Sequence, residues 1–322
     1  MASHSGFRGP RPKNLSYQTG LGRLLNDKAE YILRSSFGNT YSGRIQLILT
    51  SPPFPLNRKK AYGNQKGPEY LEWLAKFGPL FRDLLTDDGS LVVEVGNAWE
   101  PGRPAMSTLP IESLFELKKA GDFELCQEFI WFNPAKLPTP AQWVNVERIR
   151  VKDAYTRFWW LARHDRPKAN NRSVLLTYSE SMELLLKTQR YNAGRRPSEH
   201  VIGEESFLSD NGGAIPPNVI VESNTSSSDP YLSLCKELGI RPHPARMPTS
   251  IPSFFIKFLT DPGDIVLDPF AGSNTTGAAA EALDRRWFGF EADPDYARSS
   301  VGRFTQKQIP FASEETREVM NG

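Results

Sequence analysis

The chain has 322 residues, 39% of them hydrophobic and 24% charged, and a net charge of only +2. That length and composition fit one large α/β domain with an insertion, or two modest domains. No apolar stretch is long enough to cross a bilayer, and with so small a net charge any affinity for nucleic acid must come from local basic patches.

The polar, basic stretch Met1 to Asn14 lacks the apolar middle of a signal peptide. Cys126 and Cys235 stand in dissimilar contexts, and His4, His164, His200 and His243 are scattered, so no metal site is expected. A reducing, cytoplasmic setting follows from this pattern. The first strand signal is the apolar run Ile45 to Thr50, which breaks at Ser51-Pro52-Pro53-Phe54. Glu69 to Leu85 carries apolar residues at helical spacing, with Gly78-Pro79 as a kink or split. Strands are predicted at Ser90 to Val95, Phe129 to Phe132 and Phe158 to Leu161, with Trp159 and Trp160 as core. From about 166 to 240 the pattern gives way to polar, basic, Ser/Asn/Pro-rich sequence, expected to be an insertion outside the sheet. A second punctuated strand, Ile265 to Leu267, ends in Asp268-Pro269-Phe270-Ala271-Gly272. An alanine-rich helix over Thr275 to Leu283 follows, with a threonine as its cap, then a strand at Trp287 to Phe290. Strands alternating with helices predict an α/β, doubly wound sheet.

Two turns carry the chemistry. A glycine turn between strand and helix lets backbone approach a ligand closely, and the helix N-terminus favours an anionic group there. Glu291, 19 positions beyond Gly272, is spaced to accept hydrogen bonds from ribose hydroxyls. These features fit adenosyl binding or an unrelated glycine turn with a surface glutamate. A nicotinamide dinucleotide fits less well, because the three-glycine fingerprint is absent. Asn274 is of the residue type that best replaces glycine where φ is positive. In the other turn, Pro52 and Pro53 remove two backbone donors and hold the carbonyls rigidly. An amino group on a nucleobase is a poor nucleophile, because its lone pair is delocalised into the ring. The Ser51 hydroxyl and Pro52 carbonyl are placed to accept its hydrogens and support the developing positive charge, and Phe54 to stack on an extruded ring. A proline-rich strand terminator is the plainer alternative.

Taken together, these motifs closely resemble the permuted β group of DNA amino-methyltransferases, in which the catalytic tetrapeptide precedes the cofactor motif. The likeness extends over Leu24 to Glu30, Tyr62-Gly63, Glu69-Tyr70, Gly89 to Val93, Trp131 to Pro134, Lys152 to Tyr155, His243 to Pro248, and Gly289 to Asp293 with Tyr296. In all it spans about residues 15–165 and 218–305. The resemblance implies a Rossmann-like S-adenosylmethionine-dependent methyltransferase sheet with an inserted target-recognition region. It implies a catalytic half at 15–165, the insertion at 166–240, a cofactor-binding half at 241–305 and a C-terminal tail at 306–322. Cofactor contacts are implied for Asp268, Pro269, Phe270, Ala271, Gly272, Ser273, Asn274, Thr275, Glu291 and Ala292. They are implied also for Asp27, although Asn26 stands where the family has the glycine of a Gly-Asp pair. His243 is read as structural. Catalysis is implied for Ser51, Pro52, Pro53 and Phe54, by direct transfer without a covalent intermediate. Neither cysteine lies in the Pro-Cys turn that a ring-carbon methylase needs.

DNA contacts are expected from Arg58, Lys59, Lys60 and Lys66 beside the catalytic turn, and from Arg195 and Arg196 in the basic insertion. The expected partners are double-stranded DNA and a cognate restriction endonuclease acting on the same site, with no membrane, for a chain that is a monomer or weak dimer of bacterial, archaeal or phage origin. A serine heading the tetrapeptide resembles the cytosine-N4 subgroup of the family, and that resemblance implies N4 of cytosine as the target; N6 of adenine is the alternative. An RNA or protein-amide methylase and a non-catalytic DNA-binding subunit are the remaining readings.

Overall fold

The structure is a computed structural model and describes residues 12–54, 67–190, 194–195, 197–199, 201–203, 207–224, 229–304 and 311–312. Its strands are β1 (Leu15–Gln18), β2 (Gly22–Asn26), β3 (Ile45–Thr50), β4 (Leu85–Gly96), β5 (Glu124–Phe132), β6 (Tyr155–Ala162), β7 (Gly194–Arg195), β8 (Val201–Ile202), β9 (Val219–Val221), β10 (Ile265–Asp268), β11 (Arg286–Glu291) and β12 (Phe311–Ala312). The helices are α1 (Ala29–Leu33), α2 (Ser36–Tyr41), α3 (Gly67–Ala75), α4 (Phe77–Leu84), α5 (Leu109–Gly121), α6 (Glu180–Thr188), α7 (Pro230–Glu237), α8 (Ser250–Leu259), α9 (Thr275–Ala282) and α10 (Pro294–Ser299).

Ten strands form one sheet in the order β12-β1-β2-β11-β10-β3-β4-β6-β5-β9. β2, β11, β10, β3 and β4 run parallel. Their side chains alternate between two apolar layers, as a sheet covered on both faces requires. Ile48, Leu91, Val93, Trp159 and Leu161 pack with Tyr70, Phe77, Phe81 and Leu117 on one face. Leu47, Leu49, Val92, Phe158 and Trp160 pack with Ile251, Phe255, Leu259 and Ala280 on the other. Trp159 and Trp160 are therefore core, as their apolar run predicts.

The sheet departs from a wholly parallel one at β1, which is antiparallel to β2 and β12, and at β6, which lies antiparallel between β4 and β5. No crossover helix separates β5 from β6, only a segment holding one π-helical turn at Gln142–Val146, and such a link favours an antiparallel pair. The predicted helix over 69–85 is two helices broken at Lys76. Pro79 then falls in the first turn of α4, where a missing N–H is tolerated.

Residues 169–217 form a compact unit of their own, the remainder another. Within the smaller unit, α6 is capped by Ser179, whose side chain accepts from Met182 N, and no residue of α6 is buried. β7 and β8 form its two-stranded pair. The expectation that residues 218–240 lie outside the sheet is corrected: β9 adds to the sheet beside β5, and α7 buries Tyr231 and Cys235. Their polarity misled, because the apolar content of this stretch is concentrated in two short elements. Asp229 caps α7 through Tyr231 N, ahead of a proline that suits the first turn.

Candidate active site

β3 and β10 are parallel neighbours, with Leu47 opposite Val266 and Ile48 opposite Leu267. Their carboxyl ends therefore emerge together, where ligands bind in open α/β sheets. The two turns are tied by a buried hydrogen bond in which Thr50 Oγ1 donates to Asp268 Oδ1 at 2.9 Å. The same carboxylate accepts from Phe270 N at 3.1 Å and from Thr276 Oγ1 at 2.8 Å. Burial nonetheless pushes the Asp268 carboxyl up to about 6, against the lowering effect of these three donors.

A cavity of about 880 Å³ opens over both turns. Ser51, Pro52, Pro53 and Phe54 line it from one side. Asp268, Pro269, Phe270, Ala271, Gly272, Ser273 and Thr275 line it from the other, with Glu291 and Ala292 at the end of β11. Gly272 has φ of +52°, and a Cβ there would lie 3.1 Å from His243 Cε1, so the turn needs glycine on two counts. The His243 ring packs edge-on to Tyr296, and its Nδ1 hydrogen-bonds to Ala245 O at 2.8 Å. Burial lowers its pKa. The Glu291 carboxylate accepts Gly272 N at 2.7 Å and Asp293 N at 2.8 Å. Burial pushes it up to about 7.

Two implied cofactor residues do not line the cavity. Asp27 turns Oδ1 back to its own neighbour, Lys28 N, at 2.8 Å; Lys28, Ala29 and Glu30 face the cavity instead. Asn274 is buried, with φ of +54°, and it rather than a threonine caps α9, through Gly277 N. Its amide also donates to Tyr17 Oη at 2.9 Å. Only a side chain that tolerates this left-handed conformation and bonds in both directions can hold that corner. Among the DNA-contact expectations, Arg195 is exposed and paired with Glu199 at 2.7 Å in the smaller unit. Arg58, Lys59, Lys60, Lys66 and Arg196 lie outside the described residues.

The structure adds residues that sequence reasoning missed. Glu94, on β4 beside β3, is buried, lines the cavity and hydrogen-bonds to Ser51. Thr156 Oγ1 donates to its Oε1 at 3.2 Å. Burial raises its carboxyl to about 7, opposed by the Ser51 and Thr156 hydrogen bonds and by the Lys136 ammonium. A lone acid in the apolar run Val92-Val93-Glu94-Val95 was the available signal. Two residues further along β4, a Cβ on Gly96 would lie 2.6 Å from Phe54 Cε2, so the ring lies directly on the strand. Phe54 and Glu94 are thus held by the same end of β4.

These walls fit S-adenosylmethionine. The glycine turn leaves room for close backbone approach, Phe270 supplies an aromatic wall and Glu291 a carboxylate. Tyr70 lines the cavity with its buried hydroxyl unpartnered, a polar group that a ligand would satisfy. Among the described residues, no group of His, Cys, Asp and Glu side chains is arranged to hold a metal ion, and no helix is long and apolar enough to cross a membrane.

The family model described as DNA methylase, N6_N4_Mtase, matches residues 45–302. The type II methyltransferase M.PvuII of Proteus hauseri is 44% identical over 312 residues, covering 96% of this chain and 90% of its own. The solved PvuII DNA methyltransferase (cytosine-N4-specific) superposes with a TM-score of 0.75 at 36% identity, covering 96% of this chain and 94% of that one. The M1.HpyAVI–SAM complex, at 19% identity, shares the fold with a TM-score of 0.51 over 88% of this chain and 98% of its own. With a family model that takes in both turns, and a relative of that identity over nearly its whole length, this chain belongs to the DNA methylase family.

Proposed function

We propose that the protein transfers a methyl group from S-adenosylmethionine to the exocyclic N4 of a cytosine flipped out of duplex DNA. The observation that carries the reading is that the Ser51 turn, buried Glu94 and the glycine turn line one cavity. Serine as the first residue of the tetrapeptide, and a relative whose printed specificity is cytosine N4, favour cytosine over adenine.

Asp268, Phe270, Gly272 and Glu291 would hold the cofactor, which when bound supplies an electrophilic methyl carbon on a sulfonium. Everything else falls to the chain. Phe54 stacks on the extruded ring and holds it against β4. When Glu94 is ionised, the Ser51 hydroxyl must give it its one proton, which leaves the Oγ lone pairs facing the cavity. Those lone pairs and the Pro52 carbonyl accept the two amino hydrogens of the base and draw the nitrogen lone pair out of conjugation. Receipt of the methyl group would leave the nitrogen cationic, with a proton to shed. Glu94, raised to about 7, takes it through Ser51. Rate enhancement comes from positioning and charge support, with no covalent enzyme intermediate.

The basic residues Arg58, Lys59, Lys60 and Lys66, and the pair Arg195 and Arg196, are proposed to follow DNA phosphates. A restriction endonuclease cutting the same sequence is the proposed partner, by analogy with type II methyltransferases. Mass spectrometry of nucleosides from duplex DNA treated with the protein and S-adenosylmethionine is the test. N4-methylcytosine is expected. N6-methyladenine as sole product would overturn the base assignment, and 5-methylcytosine the mechanism as well.

A further inference from the structure

The segment joining β5 to β6, residues 133–154, starts and ends on the wall of the active-site cavity: Asn133 and Lys136 line it at one end, Ala154 at the other. Between those ends it carries aliphatic side chains in water. Leu137 is 76% exposed, Val146 69% and Val151 86%. Single exposed aliphatic residues are ordinary, but several on one short segment at the mouth of an active site mark a contact surface. The segment is also built. Asp153 N donates to Thr139 O at 2.9 Å and Lys152 Nζ to Pro134 O at 3.0 Å, so its two limbs are bonded to each other. Asn97 Nδ2 holds the Asp153 carboxylate at 2.8 Å, and Arg150 reaches Pro104 O at 2.7 Å, which fixes the segment to the chain after β4. Its cations Lys136, Arg148, Arg150 and Lys152 outnumber its acids Glu147 and Asp153. Aliphatic tips on a rigid, cationic frame suit a partner that is a polyanion outside and apolar between its stacked faces.

Taking the base-flipping reading above as its basis, we propose that this segment is the wedge that enters the duplex beside the target base. Leu137 and Val151 occupy the gap that the extruded cytosine leaves, and the neighbouring cations meet the flanking phosphates. Extrusion unstacks a base pair, and an apolar side chain inserted in its place keeps the base from returning. Both side chains are exposed, so replacing them leaves the core untouched.

The test compares wild type with the double variant Leu137→Ser, Val151→Ser on two duplexes built around the site mapped in methylated DNA. One duplex is fully paired; in the other the target cytosine faces an abasic position, where extrusion needs no unpairing. Methyl transfer to the paired duplex is expected to fall about 10-fold or more in kcat/KM and transfer to the abasic-facing duplex about 2-fold or less. Calorimetric affinity for S-adenosylmethionine and the unfolding midpoint should match wild type. Leu137→Met, which keeps an apolar tip, should retain activity on both duplexes. Equal losses on the two duplexes, or none on the paired one, would overturn the wedge while leaving the activity standing. A wild-type protein that methylates neither duplex would overturn the activity itself, and the wedge with it.

Discussion

Replacing Glu94 by Gln removes one charge and almost no volume, and it should make the protein more stable and nearly inactive. Glu94 is 5% exposed and its carboxyl is raised from 4.5 to about 7, chiefly by burial. Because the folded state holds this proton more tightly than the unfolded chain, the associated stability is fully present below pH 4.5 and is lost as pH rises towards 7. At pH 8 the wild-type fold carries a buried carboxylate whose cost, at about 1.4 kcal/mol per pH unit of displacement, reaches about 3 kcal/mol. The amide carries no such cost and still accepts from Thr156. Urea unfolding should therefore find Glu94→Gln more stable at pH 8, with the gain shrinking towards pH 4.5; the raised carboxyls of Asp268 and Glu291 are common to both proteins and cancel. Activity should move the other way. A general base contributes roughly 10²–10⁴-fold, and kcat/KM for DNA at pH 8 should fall within that range. Wild-type kcat/KM should rise about tenfold between pH 6 and 8 as Glu94 ionises, and that limb should be missing from the variant. A variant that keeps wild-type kcat/KM, or that loses activity but retains the limb near pH 7, would refute the assignment of Glu94 as proton acceptor.

Three further outcomes follow from the geometry. Lys136→Met removes the ammonium that lowers the Glu94 pKa, so the midpoint of the kcat/KM profile should move to higher pH; an unmoved or lowered midpoint contradicts that coupling. Gly272→Val meets both a φ of +52° and the His243 ring, and should weaken S-adenosylmethionine binding by calorimetry about tenfold or more; wild-type affinity in a folded variant would remove the turn from the cofactor site. Phe54→Ala should leave cofactor affinity unchanged and weaken capture of the extruded base by about 1–3 kcal/mol, read as a rise in KM for DNA.

What was legible in the sequence was whatever local chemistry encodes. The strand Ile45–Thr50 and the turn after it, the glycine turn after β10, and Glu291 at the end of β11 all sit where short apolar runs stop at special residues. Asn274 was singled out for its tolerance of positive φ, but its role as helix cap was given to a threonine, because capping depends on which residue turns left-handed, not on residue type alone. Glu94 escaped notice for the opposite reason. Its environment comes from Ser51 just after β3, Thr156 on β6 and the Lys136 ammonium in the link after β5, three neighbours that only the tertiary structure brings together. The order β3-β4-β6, with β6 antiparallel, cannot be read from alternating strands and helices, and without that order nothing in Val92-Val93-Glu94-Val95 says that the acid meets a serine. An acid near the end of a buried strand breaks the rule that the apolar run around it obeys, and sequences that specify one fold break such rules where function requires it. A buried carboxyl raised towards 7 costs stability at the edge of the parallel core, and a group with that pKa is matched to taking up a proton near neutral pH. The destabilisation at Glu94 and its proposed capacity for chemistry thus have one physical origin, the exclusion of water from the end of β4.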